Sequence, residues 1–383
     1  MAMGAMKKPI PLFDTFLDDR EVAAVAEVIR SGWLSQGARV AQFEDRFSKF
    51  IGSKYSVAVS SCTAALHLAL ITAGISDNDE VITTPLTFIA TTNSILYQRA
   101  RPIFADIDPR TFNIDCDSIR EKITARTKAI IPVHYAGLPA DMERINEIAK
   151  QHKLVVIEDA AHALGAQYRG KMAGNLGDYA CFSFYASKNI TTGEGGMVTL
   201  NDGEKAEQLR RLRSHGMTST AFQRDKNYEW EYDIDSMGYN YRMSEIEAAI
   251  GIAQLSKLDY IIEKRNRNAN ILSSKLGNVD RVETQYVSPD VKSANHFYPI
   301  VTKGVSRNRL LEFLRRNGVM AAVHYRPTYL LTPHRNLLGL KEGHCPISEE
   351  IYNRVISLPC HQGLDEEDMA YIAEKVTEGI ENG

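Results

Sequence analysis

Residues 154–159 have the sequence LVVIED, in which four apolar residues lead into two carboxylates. The β-rich run Leu154–Glu158 predicts a buried strand. Asp159 follows at its carboxyl end, where an acidic side chain is costly to bury unless it is paired. Ligands of parallel sheets bind at the carboxyl ends of the strands, so this stretch predicts a sheet with a polar site at that edge.

Similar β-rich runs lie on both sides of this stretch and alternate with helical segments. The other predicted strands are 56–59, 80–84, 102–107, 129–134, 180–184 and 197–200, and helical periodicity marks 63–73, 88–98, 116–124 and 141–152. Continuous apolar strands between helices are typical of a mostly parallel sheet covered on both faces. We therefore expect an α/β fold with a seven-stranded sheet flanked by helices.

The segments outside this alternation predict two flanking units. Two helices are expected near the amino end, at 19–31 (with Asp18 and Glu21 as a capping box) and at 40–51. A long helical stretch over 243–275 leads to strands at 296–301 and 319–324 and to helices at 306–317 and 365–380. We expect a large domain at 1–250 and a smaller α+β domain at 251–383.

Composition narrows the class of protein. The chain has 383 residues, 44% of them apolar and 24% charged, with a net charge of -3. These values are typical of a soluble globular protein without a general attraction to nucleic acid or membranes. The five cysteines show no paired spacing, which argues against disulfides and a zinc or other metal site. The first residues lack the apolar stretch of a signal peptide, so we expect a cytoplasmic protein.

Chemistry-bearing side chains follow four of the predicted strands. After 56–59 comes SSCTAAL (60–66), where small hydroxyl residues suit a phosphate, although an ordinary helix cap would read the same way. Phe88 follows 80–84 and is either a stacking ring or a core residue. Asp159 and His162 follow 154–158 and are either site residues or a helix cap with a structural histidine.

Lys188 follows the strand 180–184 and lies five residues after Ser183. A desolvated lysine amine is a nucleophile toward aldehydes, whereas most lysines are simply exposed. Each of these signals is weak alone, but all fall at one edge of one sheet. Pyridoxal phosphate (PLP) requires this set: a phosphate anchor, a ring platform, an acid beside the pyridine nitrogen and a lysine that forms a Schiff base.

At this point the chain resembles the DegT/DnrJ/EryC1/StrS sugar aminotransferases, which have the type I aspartate aminotransferase fold. The resemblance covers nearly the whole chain and is carried by GWLSQG (32–37), SCTAAL (61–66), PLTF (85–88), PVHYAG (132–137), EDAAHALG (158–165), FSFYASKN (182–189), GEGG (193–196) and GYNYRM (238–243). Many members have Gly where this chain has Cys62, from which we expect local repacking without loss of phosphate binding.

The resemblance implies a role for each matching residue. It makes Lys188 the lysine that binds PLP covalently, Asp159 the partner of the pyridinium and His162 the neighbour of the ring hydroxyl. Phe88 is the stacking ring. The implied phosphate contacts are Thr63, Ala64, Ser183 and, from the neighbouring subunit of a homodimer, Asn240. Substrate contacts are expected from Tyr185, His324, Tyr325 and the loop 217–235.

The implied reaction moves an amino group from L-glutamate to a nucleotide-linked keto-sugar, most plausibly at C4 of a UDP-4-keto-deoxy sugar. Residues 132–141 and 158–165 are similar to enzymes that make 4-amino-4-deoxy-arabinose; 213–217, 295–299, 324–327 and 357–361 are more similar to altrosamine-type enzymes. Two alternatives stay open. One is a PLP-dependent sugar dehydratase, although that branch carries His in place of Lys188. The other is a non-catalytic binding or regulatory protein.

Overall fold

The computed structural model describes residues 9–219, 221–228 and 230–382. The first eight residues, which carry the signal-peptide argument, lie outside the described residues. Positions 220 and 229 of the predicted substrate loop 217–235 also lie outside them.

Helices and strands alternate through the first half of the chain, as the sequence predicts. The helices are α1 (Asp19–Ser31), α2 (Ala38–Ile51), α3 (Cys62–Thr72), α4 (Ile89–Tyr97), α5 (Cys116–Lys122), α6 (Met142–His152), α7 (Gly203–Leu212), α8 (Ala221–Asn227), α9 (Glu245–Leu255), α10 (Leu258–Leu276), α11 (Arg307–Arg316), α12 (Thr332–Leu338), α13 (Pro346–Arg354) and α14 (Glu366–Glu381). The strands are β1 (Tyr55–Val59), β2 (Glu80–Thr83), β3 (Arg101–Phe104), β4 (Thr127–Ile131), β5 (Val155–Asp159), β6 (Gln167–Tyr168), β7 (Lys171–Met172), β8 (Tyr179–Ser183), β9 (Gly196–Leu200), β10 (Val282–Thr284), β11 (Val291–Lys292), β12 (Tyr298–Thr302) and β13 (Val355–Leu358).

The main sheet has seven strands in the order β1-β9-β8-β5-β4-β2-β3. β9 runs antiparallel to both of its neighbours, whereas the other strand pairs are parallel. The carboxyl ends of β1, β2, β5 and β8 therefore lie at one edge, and β9 begins there. Apolar side chains fill both faces, with Val57 and Leu66 on one side and Phe47 and Phe182 on the other.

Local sequence signals account for the two predicted amino-terminal helices. Asp18 caps α1, since its side chain accepts from the first turn while Glu21 accepts from the Asp18 backbone N–H. Gly32 ends α1 with φ of 75°, a conformation that costs a glycine little. α2 begins at Ala38 and ends before Gly52, close to the predicted bounds.

The carboxyl-terminal part contains an antiparallel sheet in the order β10-β12-β13, packed against helices α10, α11 and α14. It has its own apolar core, which includes Leu314, Ile356 and Val376, and Ile10 from the amino end joins it. This separate core supports the proposed division of the chain at residues 250 and 251, which stays a prediction.

Two sequence-based expectations about this part are wrong. The stretch 243–275 forms two helices, α9 and α10, separated at Ser256 and Lys257. The Lys257 ammonium lies 2.6 Å from Glu21 and 2.9 Å from the Phe16 carbonyl oxygen. Residues 319–324 do not form a strand. They make isolated bridges at Val319 and Ala322, and the His324 carbonyl accepts from the Tyr135 hydroxyl.

The length and apolar character of the helices decide whether any of them could cross a membrane. Across residues 9–382, apart from the two undescribed positions, none combines the length and the apolar character that crossing a bilayer requires.

Candidate active site

The polar side chains predicted at the sheet edge gather around Lys188. This residue lies in the loop after β8, where its backbone N–H donates to the Tyr185 carbonyl at 2.9 Å. The next residue, Asn189, is buried and donates to the carbonyl oxygens of Leu164 and Ala294 at 3.3 and 3.2 Å. Lys188 therefore follows a strand on one side and precedes a fixed side chain on the other.

The Lys188 amine has the properties of a nucleophile. Burial lowers its pKa from 10.5 to about 8, and the negative charge of Asp159 works in the opposite direction. A substantial fraction of the amine is therefore neutral near physiological pH, which a lysine must be to react with an aldehyde.

Asp159 ends β5, the strand next to β8, and is only 5% exposed. One carboxylate oxygen accepts from the Thr91 hydroxyl at 2.7 Å and the other from the Ala161 N–H at 3.2 Å. Burial raises the pKa of Asp159, while the hydrogen bond from Thr91 and the charge of Lys188 lower it. Two donors leave part of the acceptor capacity of a carboxylate unused.

His162 lies behind this edge in a stack of rings. Its ring packs on that of His296, with centroids 4.5 Å apart, and its Nε2 is 3.2 Å from the Tyr325 hydroxyl. Burial lowers the pKa of His162 and of His296 well below the ordinary range, so both rings are neutral. The buried Nδ1 of His162 has no hydrogen-bond partner among the described residues.

The turn from β1 into α3 approaches β9 closely. Ser61 caps α3 by accepting from the Ala64 N–H at 3.1 Å. The alternative of an ordinary helix cap is therefore correct for Ser61. A Cβ on Gly196 would lie 2.4 Å from the Ser61 carbonyl carbon, so only glycine fits there. Within the chain the Ala64 N–H is engaged by Ser61, so an anion at the start of α3 would share that donor and take the N–H of Thr63.

Two predicted aromatic residues lie at the mouth of the site. Phe88 is 59% exposed at the start of α4, which excludes the core alternative, and its ring lies 6.1 Å from that of Tyr325. Tyr185 is 50% exposed. Exposed rings at the opening of a polar pocket are available to a flat ligand.

The remaining predicted residues occupy three different places. His324 and Tyr325 belong to the wall: His324 Nδ1 lies 2.9 Å from the Ser357 hydroxyl, and burial lowers the pKa of His324 to about 4. Ser183, at the end of β8, is half-buried at the edge itself. Asn240, by contrast, is exposed on the segment 238–243, and its backbone pairs with Ser214.

Comparison with known proteins identifies the family. Residues 16–377 match the model of the DegT/DnrJ/EryC1/StrS aminotransferase family. The chain belongs to this family. GDP-perosamine synthase of Caulobacter vibrioides is 40% identical over 360 residues, with 92% of this chain and 93% of the relative covered.

Two further relatives extend the comparison. The UDP-4-amino-4,6-dideoxy-N-acetyl-beta-L-altrosamine transaminase of Helicobacter pylori is 36% identical, with 96% of each chain covered. A Streptococcus pneumoniae protein described as a sugar aminotransferase, solved in its PLP form, has a TM-score of 0.92 and 30% identity. That match covers 98% of this chain and 99% of the other. The chain is a PLP-dependent sugar aminotransferase.

The side chains at the edge fit PLP. The unpartnered Nδ1 of His162 and the unused acceptor capacity of Asp159 are suited to the polar groups of a ligand ring. The glycine-lined turn at Ser61 admits a phosphate, and Phe88 offers an exposed ring. Across the described chain, His, Cys, Asp and Glu side chains do not cluster in a group that could hold a metal ion.

The sequence argument missed three neighbours of these residues: Thr91, His296 and Asn189. Thr91 lies inside α4, three residues after Phe88, where a helix pattern gives no hint of its partner. His296 begins a predicted strand, and neither that pattern nor the resemblance of 295–299 to altrosamine-type enzymes predicts its stacking on His162. Asn189 carries a usable signal, since it directly follows the proposed lysine.

Proposed function

We propose that this aminotransferase moves the amino group of L-glutamate to C4 of a UDP-linked 4-keto-deoxy sugar. The position of Lys188 carries the proposal, because a partly neutral amine at a carboxylate-lined sheet edge suits the covalent binding of an aldehyde cofactor. The names of two relatives, which refer to an amino sugar linked to UDP and one linked to GDP, support a nucleotide-sugar acceptor.

The residues of this chain divide the work among them. Bound PLP supplies an electron sink for the negative charge that develops beside the transferred amine. Asp159 holds a proton on the ring nitrogen through a buried ion pair, which is stronger than the same pair in water. Thr63, Ala64 and Ser183 hold the phosphate, and His162 faces the ring hydroxyl.

Lys188 has a second task in this scheme. Its amine would act as a general base toward the Cα proton of glutamate and, once protonated, as the acid that gives this proton up again. Its lowered pKa suits both directions, since a general base works best when its pKa lies near the working pH. The same steps in reverse deliver the amino group to the keto-sugar.

The presence of lysine at position 188 disfavours the dehydratase alternative, because that branch of the family carries histidine there. A purely regulatory protein would not need the buried carboxylate and lysine that this chain keeps. A cytoplasmic location stays a prediction from the sequence.

A substrate panel tests the proposal. The purified protein would be incubated with L-glutamate and with 4-keto and 3-keto sugars linked to UDP or GDP, and the formation of 2-oxoglutarate would be measured. We expect turnover with a UDP-4-keto sugar above all others. Selective turnover of a GDP-linked or 3-keto sugar would overturn the assigned substrate, whereas failure of glutamate to change the colour of the enzyme would overturn amino transfer.

We further propose that the enzyme is a homodimer with shared active sites, in which Asn240 reaches the cofactor phosphate of the neighbouring subunit. Asn240 is exposed on its own chain, which suits such a role. Asn240→Ala should then weaken PLP binding by about 1.5–3 kcal/mol, the usual worth of a hydrogen bond to a charged group. Equilibrium dialysis of PLP against the apoprotein measures this.

A hybrid dimer of Lys188→Ala and Asn240→Ala subunits tests the sharing directly. If the sites are shared, both lesions fall in one site and the other site is intact, so the hybrid has about half the wild-type activity at limiting PLP. If each subunit forms its own site, the hybrid cannot exceed half the activity of the Asn240→Ala homodimer.

A further inference from the structure

The shortest hydrogen bond that Asp159 accepts comes from Thr91 in α4. In this part of the chain the sequence predicts a PLP contact at Phe88, which directly precedes the helix, but not at Thr91. Thr91 lies in the first turn of α4 and is fully buried, and its hydroxyl is 2.7 Å from Asp159 Oδ2. A fully buried hydroxyl is costly without a hydrogen-bond partner. A side chain of this kind at this place indicates a specific task.

The direction of the hydrogen bonds around Thr91 follows from counting protons. The Thr91 hydroxyl has one proton and three oxygen neighbours: Asp159 Oδ2 at 2.7 Å, the Thr87 hydroxyl at 2.8 Å and the Phe88 carbonyl at 3.3 Å. When Asp159 is ionised, as the proposed ion pair with the ring nitrogen requires, it is the charged and nearest acceptor and takes this proton. The Thr87 hydroxyl must then donate to Thr91, which gives a directed chain from Thr87 through Thr91 to Asp159.

The series of hydrogen bonds from Thr87 through Thr91 to Asp159 favours one location, on the ligand, for the proton that Asp159 and its ligand share. A hydroxyl that donates to Oδ2 stabilises the carboxylate and does nothing comparable for the neutral acid. Burial acts in the opposite sense, since it favours the neutral acid. Without Thr91, a buried Asp159 would therefore compete more strongly for the proton of a pyridine nitrogen beside it.

We propose that Thr91, supported by Thr87, is a positioning residue that keeps the shared proton on the PLP ring nitrogen and Asp159 ionised. This inference rests on the proposed function, in which Asp159 faces that nitrogen. The protonated ring is the stronger electron sink, so Thr91 acts on the reaction through Asp159 without touching substrate.

The test uses enzyme reconstituted with PLP labelled with ¹⁵N in its ring, because the nitrogen chemical shift reports protonation whether or not the enzyme turns over. Thr91→Val keeps the shape of the side chain and removes the donor. We expect its ring nitrogen to move toward the neutral-pyridine position, with the proton equilibrium displaced about 10-fold to 100-fold toward Asp159. The value of kcat should fall in step, while KM for glutamate changes little.

Two further variants separate this effect from simple damage to the fold. Thr91→Ser retains the hydroxyl and should restore the wild-type nitrogen shift. Thr92→Val is the matched control: Thr92 is the next residue of α4, is equally buried, and donates to the Thr328 hydroxyl at 2.9 Å instead of to Asp159. It should lower the free energy of unfolding about as much as Thr91→Val and leave the nitrogen shift unchanged.

Each outcome decides a different statement. A wild-type ring nitrogen that is already unprotonated would overturn the proposed role of Asp159 itself. A protonated nitrogen that stays protonated in Thr91→Val would leave Asp159 in place and overturn the inference about Thr91. An equal displacement in Thr92→Val would show that the helix, and not the hydroxyl, sets the shift.

Discussion

Glu158 and Asp159 are consecutive buried carboxylates at the end of β5, and their surroundings differ in one respect that separates structure from function. Glu158 accepts four hydrogen bonds, from His134 Nε2 at 2.9 Å and from the N–H groups of Gly174, Leu176 and Gly177 at 2.8 Å each. From the residues that the structure describes, Asp159 accepts two, from Thr91 and from Ala161.

The difference shows how one strand can carry a carboxylate that stabilises the fold next to a carboxylate that is available to a ligand. His134 Nδ1 accepts from the Ala140 N–H at 3.1 Å, so its Nε2 carries the proton that reaches Glu158. The protein alone thus saturates the carboxylate of Glu158, which ties β5 to two loops. Asp159 points the other way and keeps acceptor capacity for a ligand. Buried carboxylates with few protein donors are therefore the ones to examine for function.

The largest expected effect is that of replacing Lys188, whose amine interacts electrostatically with the carboxylate of Asp159. Lys188→Ala should reduce turnover by at least about 1000-fold, because it removes both the nucleophile and the proton carrier. Borohydride reduction followed by mass spectrometry should find PLP attached to wild-type Lys188 and no adduct in the variant. Appreciable activity in Lys188→Ala, or an adduct on another lysine, would contradict the mechanism.

Asp159→Asn tests the unsaturated carboxylate. An amide cannot hold the pyridinium proton by an ion pair, so we expect kcat to fall on the order of 100-fold to 1000-fold. The free energy of unfolding of the apoprotein should stay the same or rise, since the variant removes a buried charge. Urea denaturation measures the second quantity, and a large loss of stability would show that Asp159 is structural.

Glu158→Gln is the counterpart one residue away. It places an amide NH₂ against groups that are themselves donors, so the free energy of unfolding should fall by about 3 kcal/mol. Urea denaturation of the two variants side by side gives the sharpest form of the comparison. If Glu158→Gln were as stable as the wild type, the count of donors would not distinguish the two carboxylates.

Much of this arrangement is predictable from the sequence, because short apolar runs mark the strands and ligands bind at the carboxyl ends. Seven predicted strands form the sheet, and Lys188, Asp159, His162 and Ser183 lie at its edge. The order of the strands in the sheet has no counterpart in the periodicity of the chain.

The features that the sequence misses depend on contacts between distant residues. Thr91 meets Asp159 across 68 positions, and Tyr325 meets His162 across 163. Residues 319–324 have a strand-like pattern, but the available neighbours pair with them only at single positions. Asn240 illustrates the remaining limit, since its proposed partner belongs to a second chain.

The smallest expected effect is a shift in the pH dependence of PLP uptake, which measures how Asp159 and Glu158 each influence the pKa of Lys188. Below a pKa of about 8 the protonated amine cannot attack, so the rate of PLP uptake by the apoprotein should rise about tenfold per pH unit and level off above pH 8.

The charge of Asp159 raises the pKa of Lys188, so Asp159→Asn should move the midpoint below 8. Glu158→Gln should leave the midpoint unchanged, because Glu158 faces away. Stopped-flow absorbance from about pH 6 to about pH 12, a range that brackets the free lysine value of about 10.4, follows the uptake. A wild-type midpoint near that free value would mean that burial does not activate the lysine, and equal shifts in both variants would mean that Lys188 senses the total charge of β5 instead of the unsaturated carboxylate alone.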